Sequence, residues 1–281
     1  MRTRTPAIRA RAAEVLDRLP QDADWVQDFC MPYTVHVIAD LLGVPDTDHD
    51  TITRWDTLLT SLATGAELTA ETVTAYLDFT QEFTEYFRDR AAHLADHPDG
   101  SLLSHLIQEG DNLTDHERIQ FLLILFPAGS TTTVILLTHI AMRLAAQPDV
   151  IAELRADPAA RPDFIEECLV ERSPSANVFR TTTRDVVLQN TPIPAGAHLL
   201  LLVAAANQDI PDRSAHLAFG HGVHRCLGAQ LARTEARAAL DELLARYGHI
   251  ALRADPSSLP VRPHLLIPAY ERLPIRLERP S

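Results

Sequence analysis

The sequence predicts a mostly α-helical fold with a minor β part, carried by one domain over residues 1–281. Three observations point there. Apolar residues recur at three- and four-residue spacing through the first half of the chain. A run with no Asp, Glu, Lys or Arg lies between Arg118 and Arg143, long enough for a helix buried on nearly every face. Past Ser175 the character changes to β-branched residues punctuated by turn signals. At 281 residues, with 46% hydrophobic residues, the chain can bury a large core.

Helices are expected in order over RAAEVLDRL, DWVQDFCMPYTVHVIADLLGVP, TITRWDTLLTSL and ETVTAYLDFTQEFTEYFRDRAAHLADH. Pro20 and the GVPDTDHD, GAE and HPDGS stretches break them. The next helix, LTDHERIQFLLILFPAGSTTTVILLTHIAMRLAAQPD, has Thr114 as N-cap and Asp115 and Glu117 in its first turn, where negative charge suits the helix dipole. It reaches membrane-spanning length. Pro127, Gly129, Ser130, four threonines and His139 make it costly in lipid, so a buried helix of a soluble protein is expected. Shorter helices follow in DVIAELRAD and ARPDFIEECLVERS, closing a helical part over about 1–175. A small sheet is expected over about 178–205, a cysteine loop with its following helix over 216–247, and one or two terminal strands over 249–277.

A formal charge of −13 argues against nucleic-acid or anionic-membrane partners; the one basic cluster is the arm Arg2, Arg4, Arg9 and Arg11. The N-terminus has no apolar run of the secretory kind. Cys30, Cys168 and Cys226 are too far apart in sequence to read as a disulfide framework, which suits a reducing, cytoplasmic setting. Cys30 and Cys168 sit in apolar helical patterns and read as core. Cys226 differs. It stands among Gly220, Gly222 and Gly228 in FGHGVHRCLGAQLAR, just ahead of a helix whose free N–H groups favour a thiolate. Those are the requirements of a thiolate bound axially to haem iron. The alternatives are an inert buried thiol and a zinc site with His221 and His224, for which the HxxHxC spacing is irregular.

FGHGVHRCLG followed by LAR, Phe219 to Arg233, resembles the haem-binding signature of the cytochrome P450 family at every fixed position. The resemblance continues through DFCMPYTVHVIADLLGVP, AGSTTT and TPIPAGAHLLLLVAAANQD, covering most of the chain from about Thr5. It implies a cytochrome P450-like fold, here lacking the N-terminal β region and first helices, and haem b held with Cys226 as iron ligand. It also implies that Phe219 packs by the sulfur and that Gly220, Gly222 and Gly228 shape the loop. His224 and Arg180 would bind the haem propionates, and Ala128 and Gly129 would open a groove above the ring. Thr132 would handle protons for dioxygen. His221 and Arg225 fall at variable, exposed positions.

The sequence departs from the family pattern in four places. Thr131 replaces the acid before Thr132, and a threonine can relay a proton but does not supply one at neutral pH. The family's Glu-x-x-Arg pair keeps Glu167 but has Val170 for the arginine, and an unpartnered buried carboxylate costs about 3–5 kcal/mol. The segment between ANQD and HLAFG is short, and neither Trp25 nor Trp55 has an arginine four residues on. The resemblance implies a monooxygenase oxidising a small apolar secondary metabolite, with a ferredoxin-type electron donor and weak haem retention. The alternative is a catalytically impaired accessory protein that binds a partner enzyme.

Overall fold

The computed structural model describes residues 4–63, 67, 69–109, 113–262 and 264–280. Helix α1 (Thr5–Asp17) leads to a short strand β1 (Asp22–Asp24). A π-helical turn over Trp25–Cys30 then runs straight into α2 (Met31–Leu42). Asp24 caps that turn by accepting from the Val26 and Gln27 amides at 3.1 and 3.3 Å. Trp25, Phe29 and Tyr33, four residues apart, stack in series with centroids 4.2 and 5.3 Å apart.

Helices α3 (His49–Ala63) and α4 (Ala70–Asp96) follow, then α5 (Leu102–Glu109), a short helix in a stretch for which none was expected. The long apolar run is α6 (Asp115–Ala146). Its start is as expected: Thr114 Oγ1 accepts from the Glu117 amide at 3.2 Å, and the Glu117 carboxylate accepts from the Thr114 amide at 2.8 Å. The helix carries through Pro127 without a break. By length and composition it could cross a membrane, but half of its most apolar window is buried inside the fold.

Two apolar clusters flank α6. One gathers α1, the π turn, the C-terminal half of α6 and the terminal strands around Phe29, Tyr33 and Leu144. The other joins α2 to α3, α4 and α5 through Trp55, Phe83, Phe87 and Phe126. Both clusters draw on α2 and α6, so these two helices fix the relative position of everything else.

After α6 come α7 (Pro148–Ala156) and α8 (Arg161–Glu171), then the β part. Strand β2 (Val178–Thr181) pairs antiparallel with β5 (His198–Leu201), while β3 (Val186–Leu188) and β4 (Thr191–Ile193) form a hairpin. Gln189 and Asn190 turn that hairpin with φ of 45° and 65°, as a two-residue tight turn requires. The expected sheet stops early: residues 203–205 belong to α9 (Val203–Asp209). The helix after the cysteine loop is α10 (Ala229–Arg246).

The chain ends in β6 (His249–Leu252), the small pair β7 (Val261–Arg262) and β8 (Ala269–Tyr270), and β9 (Pro274–Glu278). Strand β9 lies between β6 and β1, so the terminal sheet also holds a strand from the first turn of the chain. Three residues are too short to show a period, which is why β1 escaped the pattern.

Of the basic arm, Arg2 lies outside the described residues, and Arg4, Arg9 and Arg11 are engaged within the molecule. Arg9 pairs with Glu242, and Arg11 reaches Asp40 at 2.9 Å and also Asp46. The Arg4 guanidinium donates to the Asp40 and Gly100 carbonyls at 3.3 and 2.5 Å. No free basic patch is left among the described residues of that arm.

Candidate functional site

Cys226 lies three residues before the first residue of α10, in a loop that turns twice at positive φ: Gly220 and Gly222 both sit at +68°. A side chain is strained in that conformation, so the two glycines are required by the backbone. The loop closes on itself through the Cys226 amide, which donates to the Phe219 carbonyl at 2.8 Å, and the Gly220 amide, which donates to Leu217 at 2.8 Å. A Cβ at Gly228 would lie 3.9 Å from the Cys226 sulfur, so the thiol rests against that glycine. The cysteine is exposed, unlike Cys30 and Cys168, which are fully buried. Burial pushes the Cys168 thiol up to about 12 and Cys30 well above its usual range, so both are inert core groups.

A polar clamp beneath the loop was not legible in the sequence. Glu166 on α8 takes a two-pronged contact from Arg233 of α10, at 2.6 and 2.7 Å. It also takes His216 Nε2 at 2.8 Å. The Ala218 amide donates to His216 Nδ1 at 3.1 Å, which leaves the ring proton on Nε2, facing the carboxylate. Burial raises the Glu166 carboxyl, but the Arg233 and His216 hydrogen bonds outweigh it and hold the group at about 2. Arg233 also lies over the Phe219 ring, 4.3 Å from its centroid. Buried Asn207 accepts from the Leu217 amide at 2.6 Å and donates to Ser173 at 2.6 Å. The partners are tens of residues apart, so no local pattern could have joined them.

A cavity of about 280 Å³ opens between this loop, α6 and β2. Of the residues singled out in the sequence, it brings together Cys226, Phe219, Gly220, His224, Gly228, Arg180, Ala128, Gly129 and Thr132. It also gathers Thr133, Leu136, Leu231, Ala232 and Glu235, which the sequence reading did not name. Two of the residues singled out lie outside it: Gly222 shapes the turn, as expected, but does not line the cavity, and Thr131 lines a separate cleft of about 30 Å³ shared with Asp56 and Arg262. Successive helical residues are about 100° apart, so Thr131 and Thr132 face different neighbours.

Gly129 contributes backbone to the cavity wall, but its missing Cβ faces elsewhere. A Cβ there would come within 2.7 Å of Ile38 Cδ1, so this glycine lets α6 approach α2. The Thr132 hydroxyl donates to the Ala128 carbonyl at 3.0 Å, the back-bond common to threonines within helices. Its oxygen keeps acceptor capacity toward the cavity. Behind it, buried Ser130 donates to the buried Asp56 carboxylate of α3.

Glu167 is not a stranded carboxylate. Its side chain is 44% exposed and accepts from Arg143 of α6 at 2.6 Å, while Arg143 also stands 3.4 Å from Glu171. Val170 is packed in the core and needs no cation. The missing arginine is therefore offset by one from a different helix, and the expected penalty does not arise.

The residues present fit a haem. The cavity is walled mostly by apolar side chains and small residues, the exposed thiol stands at its edge, and Arg180 and His224 offer two donors. Arg180 donates only to its neighbouring Phe179 carbonyl, at 2.7 Å, and has no carboxylate partner among the described residues. His221 and Arg225 are exposed. A zinc arrangement of His221, His224 and Cys226 does not form. Among the described residues the metal-type donors that converge are Asp40, Asp46 and His49, and Arg11 already holds the two carboxylates.

Comparisons with known proteins agree with this geometry. Residues 204–271 match the cytochrome P450 family model. Cytochrome P450 107B1 of Saccharopolyspora erythraea is 34% identical across 96% of this chain and 69% of its own length. The cyclomarin C epoxidase CymV of Salinispora arenicola is 36% identical across 89% of this chain and 68% of its own. The open form of cytochrome P450 EryK from S. erythraea superposes with a TM-score of 0.89 at 31% identity, over 99% of this chain and 75% of that one. The chain belongs to the cytochrome P450 family, the haem-dependent monooxygenases.

Proposed function

We propose that the chain oxidises a small apolar secondary metabolite by hydroxylation or epoxidation, with electrons from a ferredoxin-type partner, as a single domain in a reducing, cytoplasmic setting. The observation that carries the reading is the convergence of Cys226, Arg180, His224, Ala128 and Thr132 on one cavity. Haem b, when bound, supplies the iron at which dioxygen is activated. Cys226 Sγ would be its protein ligand, with the sulfur seated against Gly228 and the loop held by the Glu166 clamp. Arg180 and His224 would hold the propionates, the guanidinium as a charge-assisted donor. Phe219 would pack on the sulfur side of the haem. Ala128 and the Gly129 backbone would border the haem space, and the Thr132 hydroxyl would accept from water there and pass a proton on by releasing its bond to the Ala128 carbonyl. The related epoxidase CymV supports the substrate class, as does the apolar lining.

A second reading, an accessory protein that binds a partner enzyme, has one observation in its favour. Phe179, Leu200 and Leu201 of the β2–β5 ribbon stand 36–56% exposed. Carbon monoxide separates the two. The reduced, haem-loaded protein is expected to show the red-shifted Soret band of thiolate ligation, and Cys226→Ala is expected to lose it. Failure to take up haem would sink the monooxygenase reading and leave the accessory one.

A further inference from the structure

A second convergence of chemistry-bearing side chains lies at the corner between α2 and α3. Asp40 belongs to the last turn of α2, Asp46 opens the short helical turn Asp46–Asp48, and His49 is the first residue of α3. Gly43, at a φ of 85°, ends α2 and turns the chain back so that the three side chains meet. Each offers one donor atom, and these atoms all lie within 4.8 Å of one another. None of the three lines the Cys226 cavity.

The imidazole is the group this corner leaves unfinished. His49 is 8% exposed, and its Nε2 is buried without a hydrogen-bond partner. That nitrogen stands 3.5 Å from Asp46 Oδ1 and 4.0 Å from Asp40 Oδ1. Stacking on His36, with ring centroids 4.4 Å apart, holds the ring in that direction. A buried imidazole nitrogen facing two carboxylates without a hydrogen bond is costly unless a positive centre lies between them.

Arg11 of α1 is the cation already there. It donates to both Asp40 oxygens at 2.9 Å, to Glu14 at 3.2 Å and to Asp46, and none of these contacts reaches His49. Arg4 meets only the Asp40 backbone carbonyl, at 3.3 Å, and not its carboxylate. The Arg11 hydrogen bond holds the Asp46 carboxyl below its usual range, so Asp46 is a carboxylate at neutral pH. Each carboxylate oxygen has more than one lone pair, so Asp40 can keep Arg11 and still serve a metal. The Asp46 side chain is 70% exposed and has room to turn.

Tetrahedral zinc, with nitrogen and oxygen donors 2.0–2.2 Å away, sets its donors about 3.3–3.6 Å apart. The His49–Asp46 separation already has that value, and the His49–Asp40 separation needs a small closure. Two carboxylates and an imidazole, with a fourth position left to water, are a zinc-type donor set. We propose that Asp40, Asp46 and His49 form a binding site for a divalent cation of the zinc class, which pins the start of α3 to the end of α2. On binding, Asp46 passes from Arg11 to the metal while Arg11 keeps Asp40.

Calorimetric titration of the whole chain with Zn²⁺ tests this, in a Cys226→Ala background so that the exposed thiol does not compete. One saturable equivalent is expected, bound at least about tenfold more weakly when Asp46→Asn is added. Co²⁺ in its place should give the intense visible bands of a four-coordinate site. The absence of saturable binding, an affinity that Asp46→Asn leaves unchanged, or a cobalt spectrum like that of the hydrated ion would overturn the proposal. Should Asp46→Asn fold poorly, ¹⁵N-histidine NMR of the parent decides without touching a ligand. Zn²⁺ is expected to shift Nε2 of His49, identified by its ring contact with His36, and a resonance that does not move would overturn the proposal equally.

Discussion

Glu166 shows what a single carboxylate can hold in place. It joins α8, α10 and the loop before Cys226 through Arg233 and His216. Its folded-state value of about 2 lies below the ordinary 4.5, so the stability it adds is complete above pH 4.5 and is lost as the pH falls toward 2. Arg233→Ala is expected to cost about 2 kcal/mol, since a charged hydrogen bond is lost and the carboxylate stays half-buried. Urea denaturation at pH 7 and at pH 3 checks both statements. The deficit of the variant should shrink at the lower pH, and an equal deficit at both would show that Arg233 acts through packing on Phe219 and not through Glu166.

At the level of elements, what was legible followed from local chemistry. Thr114 and Glu117 announce the start of α6 because the capping box is written within four residues, and Gln189-Asn190 announces a turn for the same reason. The cysteine loop was readable as a site because its glycines, phenylalanine and cysteine lie within ten residues. The clamp was not, because Glu166, His216 and Arg233 meet only through the packing of α8, α10 and the loop before Cys226. Position 167 misled for a related reason: a partner was sought three residues away, and the structure supplies Arg143 from another helix. Thr131 misled because adjacency in sequence is not a shared face on a helix. The cap gives a direct test of how far α6 depends on its own signals. Thr114→Ala is expected to destabilise by about 1 kcal/mol with little effect on hemin binding, because the cap is solvent-exposed and lies more than three turns from Ala128. Thermal melting with and without hemin measures both, and a loss of hemin binding would show that the helix start governs the cavity.

For the whole molecule, the balance of stability is uneven, and the cavity lies along the division. The helical core is built from two dense clusters that share α2 and α6. The other wall of the cavity is β2 of the β2–β5 ribbon, two strands with Phe179 56% and Leu201 42% exposed, and the β3–β4 hairpin beyond it exposes Val187 and Leu188 still more. A two-stranded ribbon with little burial is marginal by itself and opens locally at small cost. Hydrogen exchange should therefore be fast across residues 178–201 and slow in α6 and α10. Hemin would bridge the two parts by contacting Arg180 on the ribbon and Cys226 on the core side, so its binding is expected to slow exchange at 178–181 and 217–228 while leaving α4 unchanged. A ligand that binds only the closed form stabilises it by mass action, so the protection should grow with hemin concentration. Uniform protection across the chain would mean that the ribbon is not a separate unit, and unchanged exchange at 217–228 would mean that hemin binds elsewhere.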